Sequence, residues 1–180
     1  MLGKGVIRKY LSEFVYGGID GSITTFAVVA GAIGAALSPA IVLILGFANL
    51  IADGFSMATS NYLAVKSEKE LHFRHKDYKL YVKTGKHPLK SAIATFTSFA
   101  IVGFIPLLPF VLATFIDYFE ANKVLYSIVF TALAFVLVGS VKGEIVKKHP
   151  ARSAIETLII GGLAALLAYL VGYFLKGLLL

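Results

Sequence analysis

"GGIDGSITTFAVVAGAIGAALSPAIVLILGFANLIADGFSM", residues 17–57, holds two apolar runs separated by little more than Ser38 and Pro39, with a carboxylate inside each, Asp20 and Asp53. Each run is near the ~20 residues that a helix needs to cross a bilayer. So short a connection forces the pair into a tight antiparallel hairpin. Pro39 suits the first turn of the second helix, where a missing N–H leaves no bond unmade. The rest of the chain agrees: 58% of its 180 residues are hydrophobic and the mean hydropathy is +0.83, far above the roughly 45 to 50% apolar usage of a soluble domain. Apolar stretches fall at about 14–37, 40–65, 91–116, 124–141 and 154–175. The reading is an all-α integral membrane protein, a single domain over residues 1–180 with five transmembrane helices. The first stretch is longer than the apolar part of a signal peptide and stays in the fold.

Charge sets the orientation. Lys4, Arg8 and Lys9 precede the first span, eight basic residues lie between Lys66 and Lys90, and Lys142, Lys147, Lys148 and Arg152 mark the junction of the fourth and fifth spans. Only Lys123 and Lys176 fall on the other side. The positive-inside bias then predicts a cytoplasmic N-terminus and an outer C-terminus. The net charge of +7 reads as topology plus attraction to anionic headgroups, so a nucleic-acid partner is not expected. Without cysteine the chain has neither a disulfide framework nor a thiolate metal site.

Several local signals concern the ends of the spans. Pro106 and Pro109 remove backbone donors and are expected to kink or end the third span. "KHPLKSA" from Lys86 and "KHPARSA" from Lys148 repeat each other, and both read as proline-led helix starts at headgroup level rather than as His87 and His149 ligand sites. In the basic segment 66–90, Glu68, His72 and His75 would share a helix face and could hold a transition metal. The surrounding positive charge opposes that. Glu156 is expected to complement the N-terminus of the fifth span.

The intramembrane polar residues carry the functional signal, because an acidic side chain at mid-membrane costs at least ~2.5 kcal/mol and usually faces a bundle interior or a wet cavity. On the first span Glu13, Asp20 and Thr24 fall within ~40° of one another, one neighbour to the next, and form a stripe. Gly17 and Gly21 lie near it in a spacing that lets another backbone approach. On the second span Asn49, Asp53 and Met57 step by four residues, ~6 Å at a time. Ser60 and Asn61 extend that stripe. The hairpin can bring the Asp20 stripe beside the Met57 stripe at comparable depth. Carboxylates suit Fe(II), Mn(II) and protons, while a thioether biases against Ca(II) and Mg(II).

"YGGIDGSITTFAVVAGAIGA", "GFANLIADGFSMATSNYLAVKSEKE" and "RSAIETLIIGGLAALLAYLVGYFL" together resemble the vacuolar iron transporter family. The resemblance implies five transmembrane helices, a homodimer, and proton-coupled export of Fe(II), sometimes Mn(II), along the dimer axis. It maps the family's pathway aspartate onto Asp20, its methionine onto Met57, and an acidic residue nearer the cytoplasm onto Glu13. Where the family commonly has a glutamate two turns before the methionine this chain has Asn49, with Asp53 one turn later. The family's long glutamate-rich cytoplasmic domain is replaced here by the short basic segment.

The expectation is a metal/proton antiporter of the cell membrane, not an enzyme, with no tightly bound cofactor and with metal ions and protons as its partners. Asp20 and Met57 are the expected transient ligands, with Glu13, Asp53 and Asn49 along the same path. A non-transporting membrane scaffold and a proton-coupled transporter of an organic solute are the alternatives.

Overall fold

The structure, a computed structural model, describes residues 3–74 and 85–179. Along the chain run α1 (Gly3–Gly34), α2 (Pro39–Arg74), α3 (Pro88–Phe104), a 3-10 turn (Ile105–Leu107), α4 (Leu108–Ala113), α5 (Asp117–Glu120), α6 (Lys123–Ile145) and α7 (Pro150–Leu179). Five helical stretches are long and apolar enough to span a membrane: α1, α2, α3 continued through α4, α6, and α7. No strand occurs among the described residues. The expected all-helical, five-span architecture is therefore present.

The helix starts follow the sequence closely. Pro39, Pro88 and Pro150 each open a helix, where a fixed φ helps and no donor is missed. In both copies of the repeat the histidine stands just ahead of the helix, and its carbonyl accepts the first bond, from Ser91 N–H at 3.0 Å and from Ser153 N–H at 3.2 Å.

The ends of α1 and α6 are less obvious. Ala36 has φ 54° and Lys147 φ 56°, both in the left-handed region where glycine is usual. After α1, Leu37 N–H reaches Ala32 O and Ala36 N–H reaches Ile33 O, both at 2.9 Å. After α6, Lys148 N–H reaches Gly143 O at 2.9 Å and Lys147 N–H reaches Glu144 O at 3.3 Å. The two ends share one pattern of paired bonds that satisfies the last carbonyls and turns the chain back.

Pro106 and Pro109 do not end the third span. Ile105 N–H bonds to Val102 O and Leu108 N–H to Ile105 O, so one tighter turn absorbs the missing donors and the helix resumes to Ala113. The Pro106 carbonyl takes its bond from Ser127 Oγ on α6 at 2.7 Å. A buried side-chain hydroxyl thus supplies a donor the backbone lacks.

α1 sits at the centre, packed along α3 and α7 and touching α2 and α6. Half of its most apolar window is buried, against 11% for α7, whose Ile155, Ile159, Leu163 and Leu167 face outward as lipid-facing side chains do. Gly17 and Gly21 make the α1–α3 contact possible. A Cβ on Gly17 would lie 2.5 Å from Thr95 O, and one on Gly21 would run into the backbone of Phe99. The helix that these glycines admit is α3 of the same chain. Around them Val29, Val42, Leu50, Phe99, Leu107 and Phe110 form the apolar core, with Met57 packed against it.

Candidate functional site

The polar residues of α1 and α2 meet in levels along the hairpin, each four-residue step up α1 matched by a four-residue step down α2. At the level furthest from the basic end, Asn49 Nδ2 donates to Thr25 Oγ1 at 3.3 Å and Thr24 Oγ1 at 3.4 Å. Thr24 in turn donates to its own helix, at Asp20 O, 2.9 Å. One turn nearer the basic end, the same four-residue steps bring Asp20 on α1 and Asp53 on α2 to the next level. Both are half-buried. Below them a cavity of about 400 Å³ is lined by Ser12, Glu13, Tyr16, Met57, Ser60 and Asn61, with Ala64.

The Asp20 stripe and the Met57 stripe run side by side as the hairpin allows, and by the four-residue spacing Asp53 falls nearest the level of Asp20 while Met57 lines the cavity with Glu13. The reason is the four-residue cap between α1 and α2, Ala35–Ser38, whose length fixes which residues face each other. A carboxylate and a thioether do meet, and the carboxylate is Glu13.

Glu13 is buried, with only 7% of its side chain exposed, and a charge so placed needs a partner. Its partner is Lys86, just ahead of α3, whose Nζ lies 2.6 Å from Glu13 Oε1 and also donates to Ser12 Oγ at 2.8 Å. Ser12 Oγ donates to Glu13 Oε2 at 2.9 Å, and Ser91 Oγ donates to Oε1 at 3.4 Å. Behind the cavity, Asn61 Nδ2 donates to Thr95 Oγ1 at 2.6 Å, and Thr95 donates onward to Ser91 O at 3.0 Å. A polar ladder on α3 therefore backs a cavity walled by α1 and α2. The sequence pattern singled out Glu13, Met57 and Asn61 but missed Lys86, Ser91 and Thr95. Alternation of small hydroxyl residues at 91, 95 and 98 was the available signal for the last two.

The other sequence-derived positions are placed as follows. His72 Nδ1 is 2.8 Å from Glu68 O, a contact within α2, and Glu68 is exposed. His75 lies outside the described residues. Among the described residues no group of three or more His, Asp or Glu side chains gathers in a way that could hold a metal ion. Glu156, rather than serving only its helix start, stands 3.7 Å from Lys142 Nζ on α6.

Comparison with known proteins bears on this arrangement. A family model described as the VIT family matches residues 11–79 and 72–173. The chain is 27% identical to a "Vacuolar iron transporter" of Toxoplasma gondii over 225 aligned positions, covering 93% of this chain and 74% of that protein. It is 27% identical to "Vacuolar iron transporter 1" of Arabidopsis thaliana, covering 89% and 84%, and 26% identical to a "Vacuolar iron transporter" of Plasmodium falciparum, covering 94% and 83%. An alignment of 225 positions against a chain of 180 residues leaves at least 45 positions of the Toxoplasma protein without a counterpart here. The two matched segments overlap at residues 72–79, from the last residues of α2 onward.

Proposed function

The chain belongs to the VIT family, and from that we propose that it moves a divalent transition metal across the membrane: Fe(II), and also Mn(II), exported from the cytosol in exchange for protons. The observation that carries this reading is the cavity shared by Glu13 and Met57. A carboxylate, a thioether, a hydroxyl and an amide around one space form a mixed oxygen and sulfur environment. Such an environment favours a first-row transition metal over Ca(II) or Mg(II). The names of the relatives, all iron transporters, point to the same cargo.

The path runs from the basic end, which faces the cytosol, past Glu13 and Met57 to the facing Asp20 and Asp53, and on past Asn49. Asp20 and Asp53 each offer a carboxylate that can take either a proton or a metal ion. Proton binding and metal binding then compete there, which is the chemical basis of exchange. A second copy of the chain completes the path. α2 leaves Ser56 and Ser60 exposed, beside half-buried Asp53, and a polar strip facing lipid calls for cover. A two-fold axis along this strip would double each ligand. The membrane we assign is the cell membrane; the relatives' names place theirs in vacuoles, and imaging of a tagged chain decides between them.

The test is uptake of Mn(II) and Fe(II) into proteoliposomes loaded with a metal-sensitive dye, with internal pH followed in parallel. Asp20→Ala and Met57→Ala should each transport poorly. If both match the parent protein, the path is wrong. A non-transporting scaffold is the second reading, favoured by the fact that Asn49 and Glu13 already have partners within the chain. It predicts that Asp20→Asn alters assembly or stability and that no metal-dependent proton movement exists to be lost.

A further inference from the structure

Lys86 is out of place for a residue that serves only to fix topology. Its ammonium turns back into the bundle, lies 2.6 Å from Glu13 Oε1 and 2.8 Å from Ser12 Oγ, and is one-third exposed while Glu13 is buried. Both partners line the cavity that contains Met57. Lys86 itself is not part of the lining, and its ammonium holds the one carboxylate that is, Glu13.

A cation bound to Glu13 from the cavity and the Lys86 ammonium compete for the same charge. A first-row metal binds a carboxylate oxygen at about 2.0 to 2.2 Å. An ammonium held on that oxygen by a short charge-assisted bond would then face a divalent charge a few ångströms away in a medium that screens poorly. Both cannot stay. We propose that Lys86 is a tethered counter-ion that occupies Glu13 when no cargo is present and is displaced by the incoming divalent cation, so that it sets the affinity of the basic-end site. The resting chain keeps its buried carboxylate compensated without metal. A monovalent cation offers no more charge than the lysine it would replace, whereas a divalent one does. The pair thus works as a filter for charge as well as a plug.

The inference rests on Glu13 being part of the cargo path, and the test separates the two. Initial rates of Mn(II) uptake into proteoliposomes are measured against concentration for the parent protein, K86Q, K86R and E13Q. K86Q should lower the half-saturating concentration by at least about threefold, since a site blocked for part of the time shows only a fraction of its intrinsic affinity. K86R, which keeps the charge, should not lower it. A K86Q value equal to or above that of the parent overturns the proposal, provided that E13Q weakens uptake. If E13Q instead transports with parental half-saturation, the path through Glu13 is wrong and the role of Lys86 falls with it.

A second measurement needs no variant, and so holds even if K86Q does not fold. The intact protein in detergent is acetylated with an amine-reactive ester, with and without saturating Mn(II), and the modified lysines are mapped by mass spectrometry. Displacement predicts a rise in labelling at Lys86 relative to Lys142 when Mn(II) is present, and no rise with K(I) at the same ionic strength. Labelling of Lys86 that Mn(II) leaves unchanged or lowers overturns the proposal.

Discussion

Asn49 on α2 reaches across to Thr24 and Thr25 on α1, its Nδ2 at 3.4 and 3.3 Å from the two hydroxyls. This shared bond holds the hairpin together one turn beyond the level where Asp53 faces Asp20. Asparagine donates here; a glutamate in its place could only accept, and Thr24 would then have to give up its bond to Asp20 O to donate. Asn49→Ala should lower stability by about 0.6 kcal/mol and by no more than ~1.7, the range of interhelical hydrogen bonds in membranes. Unfolding by denaturing detergent, followed by circular dichroism, gives the value. No change would mean that these long contacts contribute nothing to the hairpin.

The facing carboxylates make a prediction about function. Asp20→Asn and Asp53→Asn should each slow Mn(II) transport, and the double variant should lose less than the two single losses combined, with a coupling of at least about 0.5 kcal/mol in a double-mutant cycle. Strict additivity would show that the two groups act at separate steps.

Packing between α1 and α3 is tested at Gly21. A methyl group there meets the Phe99 backbone, and main chain cannot step aside as a flexible side chain can. Gly21→Ala should destabilise the protein by about 1 to 3 kcal/mol, the usual cost of overpacking. Gly162 on α7 has open space where a Cβ would go. Gly162→Ala should be neutral, or stabilising by up to about 1 kcal/mol through helix propensity. Thermal unfolding of the two variants side by side distinguishes a packing effect from a general intolerance of substituted glycines.

At the end of α1 the opposite substitution helps. Ala36 holds a left-handed φ of 54°, which strains any residue with a Cβ by roughly 1 to 2 kcal/mol. Glycine relieves that strain and gives back part of the gain through a more flexible unfolded chain. Ala36→Gly should therefore raise stability by about 0.5 to 1 kcal/mol, and Lys147→Gly, at the matching position after α6, should do likewise. A fall in melting temperature for Ala36→Gly would show that the cap geometry is not the one described.

What could be read from the chain alone was what depends on length and on single residue types. Five apolar stretches gave five spans because hydrocarbon thickness leaves no other option. Pro39, Pro88 and Pro150 marked helix starts because the ring fixes φ and removes only a donor that is orphaned there anyway. The helix ends were harder: alanine and lysine occupy the two left-handed caps, so no glycine advertises them. Pro106 and Pro109 read as a kink or an end, and the tighter turn at Ile105–Leu107, with Ser127 of a different helix bonded to Pro106 O, is how the span continues. At the site, Glu13 and Met57 stood out as polar or soft groups in an apolar run. Lys86 did not, since a lysine among eight basic residues reads as topology and its partner lies 73 positions away. Small residues four apart show that some backbone comes close, and they do not say whose. At Gly17 and Gly21 it is that of α3.

That close approach has a mechanical side. With main chain against main chain at Gly17 and Gly21, and with Ser98 Oγ bonded to Phe14 O, α1 and α3 are held backbone to backbone. α2 is joined to α1 by the short cap at Ala35–Ser38, and it is tied to α3 by the Asn61–Thr95 bond. Widening the space between Glu13 and Met57 therefore has to part α2 from α3 as well as from α1, and a crosslink pinning α2 to either helix near the basic end would stop it.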